Sequence, residues 1–166
     1  MCWRHLILNQ LVLSLSEKLL RKKTLKQFCS QVLEERIAAT RATMARAQEA
    51  ANGEEKSSAG DKYETSRAMN HLEKDMYAKQ LMDHLQALGA LRMVPAETLY
   101  DEVQPGALIR CDTVTFFIAA GLGKQCVGSE SIIFLSPLSP LANKILHKRV
   151  GSVIEFTGEP VIMDIY

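Results

Sequence analysis

Apolar and polar positions along the chain follow a helical period up to about Gly89 and then lose it. From Thr24 to Asn52 there is no proline or glycine, and apolar or small residues recur at alternating steps of four and three, the period of a coiled-coil seam. These positions are Leu33, Ile37, Thr40, Met44, Ala47 and Ala51. A second helical run from about Asp61 to Gly89 carries apolar Leu72, Met76, Leu81, Leu85 and Leu88. The pattern predicts two long helices.

The segment between the two helical runs, Gly53 to Gly60, is made of glycine, serine, alanine and charged residues, a composition typical of a loop. Two helices of similar length that are joined by a short polar loop fold back as an antiparallel hairpin. We therefore expect a coiled-coil hairpin over residues 24–90, with residues 1–23 forming an N-terminal extension of uncertain role.

After Gly89 the helical period gives way to short apolar runs rich in branched and aromatic residues, which predict strands. The runs are Leu108–Ile109, Val114–Ile118, Ser131–Leu135, Val153–Phe156 and Val161–Tyr166. Ser139 followed by Pro140 marks a helix start, because serine is a preferred N-cap residue and proline suits the first helical position. Residues 95–166 should therefore form a small sheet with one short helix, which makes the chain α+β.

Composition and charge limit the classes of function. Of the 166 residues 47% are hydrophobic and 23% are charged, enough for a folded core, and the net charge of +1 argues against non-specific nucleic-acid binding. The charge is uneven: the first 23 residues carry five basic side chains against one acid, and residues 49–64 carry five acids against two lysines. This layout suits a protein that binds with one end and acts with the other, although a solvated loop also explains it.

The cysteines and the N-terminal residues bear on the compartment. Cys2, Cys29, Cys111 and Cys126 are widely spaced, so neither a disulfide framework nor a zinc site is indicated, and we expect a reduced, cytoplasmic protein. The apolar run from Leu6 to Leu15 is interrupted by Asn9 and Gln10 and is too short to span a membrane. We expect no membrane partner.

Asp61 and Glu64 are the main candidates for chemistry, and they allow two interpretations. Asp-x-x-Glu at a helix start is a capping box, in which each carboxylate accepts a backbone N–H. Alternatively, the carboxylates face solvent and help to hold Mg²⁺, an ion that proteins bind through one or two carboxylates together with water and other ligands. Gly121-Leu122-Gly123-Lys124 lacks the residues that a Walker phosphate loop requires, so we expect a turn between strands there.

The order of these motifs resembles that of a known family. Gly60-Asp61-x-x-Glu64 lies at the tip of the predicted hairpin, and Ser139-Pro140-Leu141-Ala142 is followed by Leu146 and by Lys148-Arg149-Val150-Gly151. Val127-Gly128 precedes a further apolar strand. Together, over about residues 28–166, these features resemble the Gre transcript-cleavage factors of bacterial RNA polymerase.

The resemblance implies a fold and a role. It implies an N-terminal antiparallel coiled-coil hairpin and a C-terminal FKBP-like domain, which we expect to be an antiparallel sheet with one short helix. Such factors dock at the polymerase secondary channel, and their tip carboxylates help the polymerase to cleave the 3′ end of a backtracked RNA. By resemblance, Asp61 and Glu64 would share Mg²⁺ with the polymerase, the chain would be an accessory factor without its own cofactor, and Ser139, Pro140 and Leu141 are candidate partner contacts.

Three other functions stay open from the sequence. After Glu64 the chain reads Thr65-Ser66-Arg67-Ala68, where the family usually has Asn-Ala-Glu-Tyr, which suits a Gre-like regulator that occupies the channel without stimulating cleavage. An FKBP-like domain raises the alternative of a prolyl isomerase, which needs an apolar pocket with a few placed polar groups. The hairpin alone would also suit a coiled-coil scaffold.

Overall fold

The computed structural model describes residues 14–54 and 60–166, with the backbone alone at 50–54, 60–68, 70 and 71. It has three helices in this part of the chain, α1 (Leu15–Glu54), α2 (Gly60–Met93) and α3 (Pro140–Ile145). Its five strands are β1 (Leu108–Cys111), β2 (Thr115–Ile118), β3 (Gly123–Val127), β4 (Glu130–Leu135) and β5 (Ile162–Ile165). The protein is α+β, as the sequence predicts.

The chain divides into two compact units, and α1 contributes to both. Among the described residues, the sheet unit contains 14–29 and 91–166, and the helical unit contains 30–54 and 60–90. The helix start that was predicted near Thr24 is wrong, because α1 begins at Leu15. Ser14 precedes it in the position of a cap: its hydroxyl accepts the backbone N–H of Glu17, and the Glu17 carboxylate accepts the N–H of Ser14.

The five strands form one sheet in the order β3-β4-β2-β1-β5. Three pairings are antiparallel, but β2 and β4 run parallel, with Phe116 opposite Ile133 and Phe117 opposite Phe134. The prediction of a purely antiparallel sheet is therefore wrong. The chain reverses between β2 and β3 and again between β3 and β4, and these two reversals return β4 to the direction of β2.

One predicted strand is not formed, and one observed strand was not predicted. The run Val153–Phe156 forms only an isolated bridge, between Val153 and Val161. The strand that was not predicted is β3, an edge strand whose residues are all exposed or partly exposed. An edge strand of this kind needs no apolar alternation, so the pattern of its residues carries little signal.

One face of the sheet packs on α3 and on the segments that follow it. Phe116, Ile118 and Ile109 from the strands form a buried cluster with Ala142 and Ile145 of α3. Phe156 meets Phe116 edge to face, with ring centroids 5.5 Å apart. The predicted start of α3 is confirmed, since Ser139 is the N-cap, its Oγ accepts the N–H of Ala142 at 3.2 Å, and Pro140 follows at the first helical turn.

The opposite face of the sheet is covered by the first half of α1. The Phe28 ring lies 5.6 Å from that of Phe134, and the Phe134 ring lies 6.0 Å from that of Phe117. Leu25 and Cys29 of the same helix stretch are buried as well. Phe116 and Phe117 therefore point to opposite faces of the sheet. Both side chains are fully buried because both faces are covered.

In the helical unit the predicted seam is only partly observed. Leu33, Ile37 and Thr40 of α1 and Leu88 of α2 are buried. Leu72 and Met76, which continue the apolar pattern of α2, are 65% and 63% exposed, so the pattern does not mark a buried stripe at that end of the helix.

We predict that Phe134→Ala destabilises the protein by about 3–5 kcal/mol, because it removes a ring that contacts both Phe28 and Phe117 and leaves a cavity. Equilibrium unfolding in urea measures the change. Leu138→Ala is the matched control: this side chain is 83% exposed, and its loss should change the free energy of unfolding by less than about 0.5 kcal/mol. Equal effects of the two substitutions would contradict the packing described here.

Candidate functional site

Asp61 and Glu64 lie in the first turn of α2, which begins at Gly60. Their side chains lie outside the described part of the structure, so neither a cap hydrogen bond nor a free carboxylate is observed for them. The backbone shows that α2 begins at Gly60, one residue before Asp61. The pair therefore remains a predicted cap or a predicted metal ligand set.

Ser139, Pro140 and Leu141, the candidate partner contacts, form the start of α3. The Ser139 hydroxyl is engaged in the cap, Pro140 is exposed, and Leu141 is half-buried against the sheet core. Leu138 just before them is exposed at the surface. The segment thus has a structural role at Ser139 and Leu141, and it offers Leu138 and Pro140 to the solvent.

A polar cluster centred on Glu102 lies beyond the end of α3. The Glu102 carboxylate accepts hydrogen bonds from Gln104 Nε2 at 2.9 Å and from Arg149 Nη2 at 3.3 Å, and its Oε1 lies 3.2 Å from His147 Nδ1. These contacts hold the pKa of Glu102 at about 2, with the Gln104 hydrogen bond as the largest cause, followed by those of His147 and Arg149. His147 itself has a positive φ of 63°, a backbone conformation that favours glycine.

Basic side chains near the start of α1 form ion pairs and hydrogen bonds within the sheet unit. Lys18 pairs with Asp164 at 2.8 Å, Arg21 pairs with Glu130, and Lys23 pairs with Glu97 at 2.9 Å. Lys26 donates to two backbone carbonyls, those of Arg92 and Val94. These contacts hold the first part of α1 on the sheet unit, which gives a structural reason for the positive charge near the start of the chain.

Lys22 is the most unusual member of this segment because its side chain is fully buried. Its Nζ donates to the Thr98 carbonyl and lies 4.5 Å from the centroid of the Tyr100 ring. Burial lowers the pKa of Lys22 to about 8. A carbonyl and an aromatic face are weaker partners for an ammonium than a carboxylate, so the site favours the neutral amine more than the surface would.

Gly121-Leu122-Gly123-Lys124 connects β2 to β3, and its last two residues begin β3. Leu122 is buried, and its carbonyl accepts a hydrogen bond from Gln125 Nε2 at 2.9 Å. The prediction of a turn between strands is confirmed for Gly121 and Leu122.

The helical unit contains a cleft between α1 and α2 that the sequence analysis missed. It has a volume of about 290 Å³ and is lined by Arg36, Ala39, Thr40, Gln80 and His84. Arg36 lies outside the predicted apolar seam, and His84 is not part of any recognisable motif. The sequence feature that could have indicated the cleft is Thr40, a polar residue within the apolar seam.

In the described ranges, 14–54 and 60–166, no cluster of three or more histidine, cysteine or acidic side chains is arranged to bind a metal ion. Over the same residues, no helix combines the length and the apolar character that crossing a bilayer requires. Comparisons with protein-family models, with characterised proteins and with solved structures find no match to this chain.

We predict that Gln104→Ala raises the pKa of Glu102 above 2 towards its ordinary value of 4.5, because the amide is the largest cause of the shift. In the folded protein the pKa is lowered, so the stabilisation from this cluster is fully present above about pH 4.5 and is lost as the pH falls through about 2. A carbon-detected NMR titration of the Glu102 carboxyl measures it. Gln125→Ala removes a side-chain amide donor elsewhere in the sheet unit and should leave this pKa unchanged.

Proposed function

We propose that this protein is a Gre-like transcription factor. In this proposal it binds RNA polymerase at the secondary channel and stimulates cleavage of backtracked transcripts. Asp61 and Glu64 would supply carboxylates at the tip of a hairpin, and the polymerase would carry out the hydrolysis in its own active site. The observation that carries the proposal is the position of this acidic pair, in the first turn of the second of two long helices that precede a small sheet.

The pairing of α1 with α2 supports an antiparallel hairpin. Late in α1, the Gln48 side chain accepts a hydrogen bond from Lys74 at 3.2 Å. Earlier in α1, Arg36 and Thr40 share a cleft with Gln80 and His84, which lie later in α2. Later positions in α1 therefore lie beside earlier positions in α2, as in an antiparallel pair. Extended past Gln48, this order brings the end of α1 towards the beginning of α2.

The sheet unit supports the second half of the resemblance. The Ser139-Pro140 motif starts a short helix that packs on the sheet, at the place where the Gre-like pattern expects it. The sheet is mixed, with one parallel pairing, and we propose that it corresponds to the FKBP-like domain of the family. Pro140 and the neighbouring Leu138 are exposed and are available to a partner.

The chemistry assigned to Asp61 and Glu64 follows from how carboxylates coordinate Mg²⁺. Two carboxylates bind the ion weakly on their own, but they complete a coordination shell when a partner and a substrate supply the other ligands. In two-metal phosphoryl chemistry the ions stabilise both the attacking and the leaving oxygens. Asp61 and Glu64 would therefore hold the second ion and orient the attacking water within the polymerase.

A prolyl isomerase receives less support from the structure. Phe116 and Phe117 are fully buried, one against Phe156 and the other against Phe134, so these rings fill the two cores instead of lining an open pocket. A non-cleaving regulator shares the same docking and differs only at the tip, where Thr65-Ser66-Arg67-Ala68 departs from the family's usual residues.

We predict that the protein accelerates the shortening of a 5′-labelled transcript in a backtracked bacterial RNA polymerase complex in the presence of Mg²⁺. Asp61→Asn and Glu64→Gln should each reduce the cleavage rate by at least about tenfold, because each removes a carboxylate that supports the metal. The products are separated on a denaturing gel and timed.

Asp75→Asn is the matched control, since Asp75 is an exposed acid on the same helix. It should leave the cleavage rate unchanged. If the protein does not change the cleavage rate, the cleavage proposal is wrong, and slower elongation in the same reaction would then favour the non-cleaving regulator.

A further inference from the structure

The cleft between α1 and α2 gathers hydrogen-bond donors without an acid to neutralise them. Arg36 contributes a guanidinium with five N–H donors, Gln80 contributes an amide, and His84 contributes an imidazole. Among the described residues, no aspartate or glutamate lines the cleft. In the described part of the chain, the side chains of Arg36 and Gln80 have no hydrogen-bond or ion-pair partner. A positive guanidinium and two further donors thus share one small space.

Two buried polar groups shape the cleft. His84 Nδ1 is buried and has no hydrogen-bond partner within the described structure. A buried nitrogen without a partner is costly, and in folded proteins a bound water or ion commonly satisfies such a group. Thr40 is buried beside it, but its hydroxyl already donates to the Arg36 carbonyl at 2.9 Å, so it fixes the wall of the cleft and leaves the donors of Arg36 and Gln80 for a ligand.

The neighbouring acidic side chains do not neutralise the charge of Arg36 in the cleft. Glu35 is exposed and accepts a hydrogen bond from Gln31 at 2.9 Å on its own helix. Asp83, next to His84 in the sequence, is exposed and does not line the cleft. The positive charge of Arg36 is therefore not paired by a described acid within the cleft.

We propose that this cleft binds an oxyanion, specifically a phosphate group, either free or carried by a small molecule. Guanidinium groups bind phosphate oxygens through two parallel hydrogen bonds, and amide and imidazole donors complete the oxygen shell. A volume of about 290 Å³ lies just below the usual range of small-molecule sites, roughly 300 to 1,000 Å³. The part of the ligand inside the cleft is thus no larger than inorganic phosphate or a compact phosphorylated group.

The oxyanion site is independent of the proposed function in transcription. It rests on contacts among described residues of α1 and α2, whereas the cleavage proposal rests on Asp61 and Glu64. Binding to the isolated full-length protein requires no polymerase. Either proposal can therefore fail while the other stands.

The test is a titration of the full-length protein with inorganic phosphate and, separately, with ADP, followed by NMR of the backbone amides and the His84 ring nitrogens. We expect saturable shifts at residues 36–40 and 80–84. Tighter binding of ADP than of phosphate would assign the site to a phosphorylated molecule, and equal or weaker binding would assign it to the free anion. Both results support an oxyanion site.

Variants test which residues hold the anion. Arg36→Ala and Gln80→Ala should each weaken binding, Arg36→Ala by at least about tenfold because a charged donor is lost. Arg36→Lys keeps the charge but loses the planar fork, so it should also bind more weakly. Arg41→Ala, an exposed arginine of the same helix outside the cleft, is the control and should bind like the natural chain. Thermal unfolding of each variant verifies that it is folded.

Absence of saturable binding by both probes would overturn the proposal. Binding that persists unchanged in folded Arg36→Ala, Arg36→Lys and Gln80→Ala proteins would overturn it as well, because the anion would then sit elsewhere.

Discussion

The packing of α1 on the sheet is the interaction on which the rest of the structure depends. Phe28 of α1 lies against Phe134, and Phe134 lies against Phe117, so this helix covers a sheet face that would otherwise expose large aromatic side chains. Burial of such rings contributes far more than the Lys18–Asp164 and Arg21–Glu130 pairs beside them, since partly exposed ion pairs contribute only about 0–1 kcal/mol. The ion pairs add polar contacts from α1 to β5 and to β4.

The same helix provides the link between the two units. It runs from Leu15 to Glu54 without a break, so its first half belongs to the sheet unit and its second half, with Leu33 and Ile37 buried, belongs to the helical unit. The first half carries basic side chains, Lys18, Arg21 and Lys23 among them, that form ion pairs within the sheet unit. Lys22 is the extreme case, a fully buried amine that is held by a carbonyl and an aromatic ring and whose pKa is lowered to about 8.

Elements whose residues carry a local signal were predicted well. The helical period revealed α1 and α2, and the Ser139-Pro140 cap revealed α3, because caps and periodicity are written in neighbouring residues. The parallel pairing of β2 with β4 and the edge strand β3 were missed, since strand partners are set by long-range contacts and an exposed edge needs no apolar pattern. The cleft was missed for a related reason: Arg36 and His84 are 48 positions apart in the sequence and meet only in the fold. The acidic pair at Asp61 and Glu64 could be proposed from the sequence because its spacing is local, and its role stays a prediction.

Direct association with RNA polymerase is the most decisive property to measure. Fluorescence anisotropy of the labelled full-length protein, titrated with core RNA polymerase, reports it without depending on whether the tip carboxylates are competent for cleavage. The function proposed here predicts a saturable rise in anisotropy, reversed by unlabelled protein. No rise up to micromolar concentrations of polymerase would contradict it, and with it every role that requires the secondary channel.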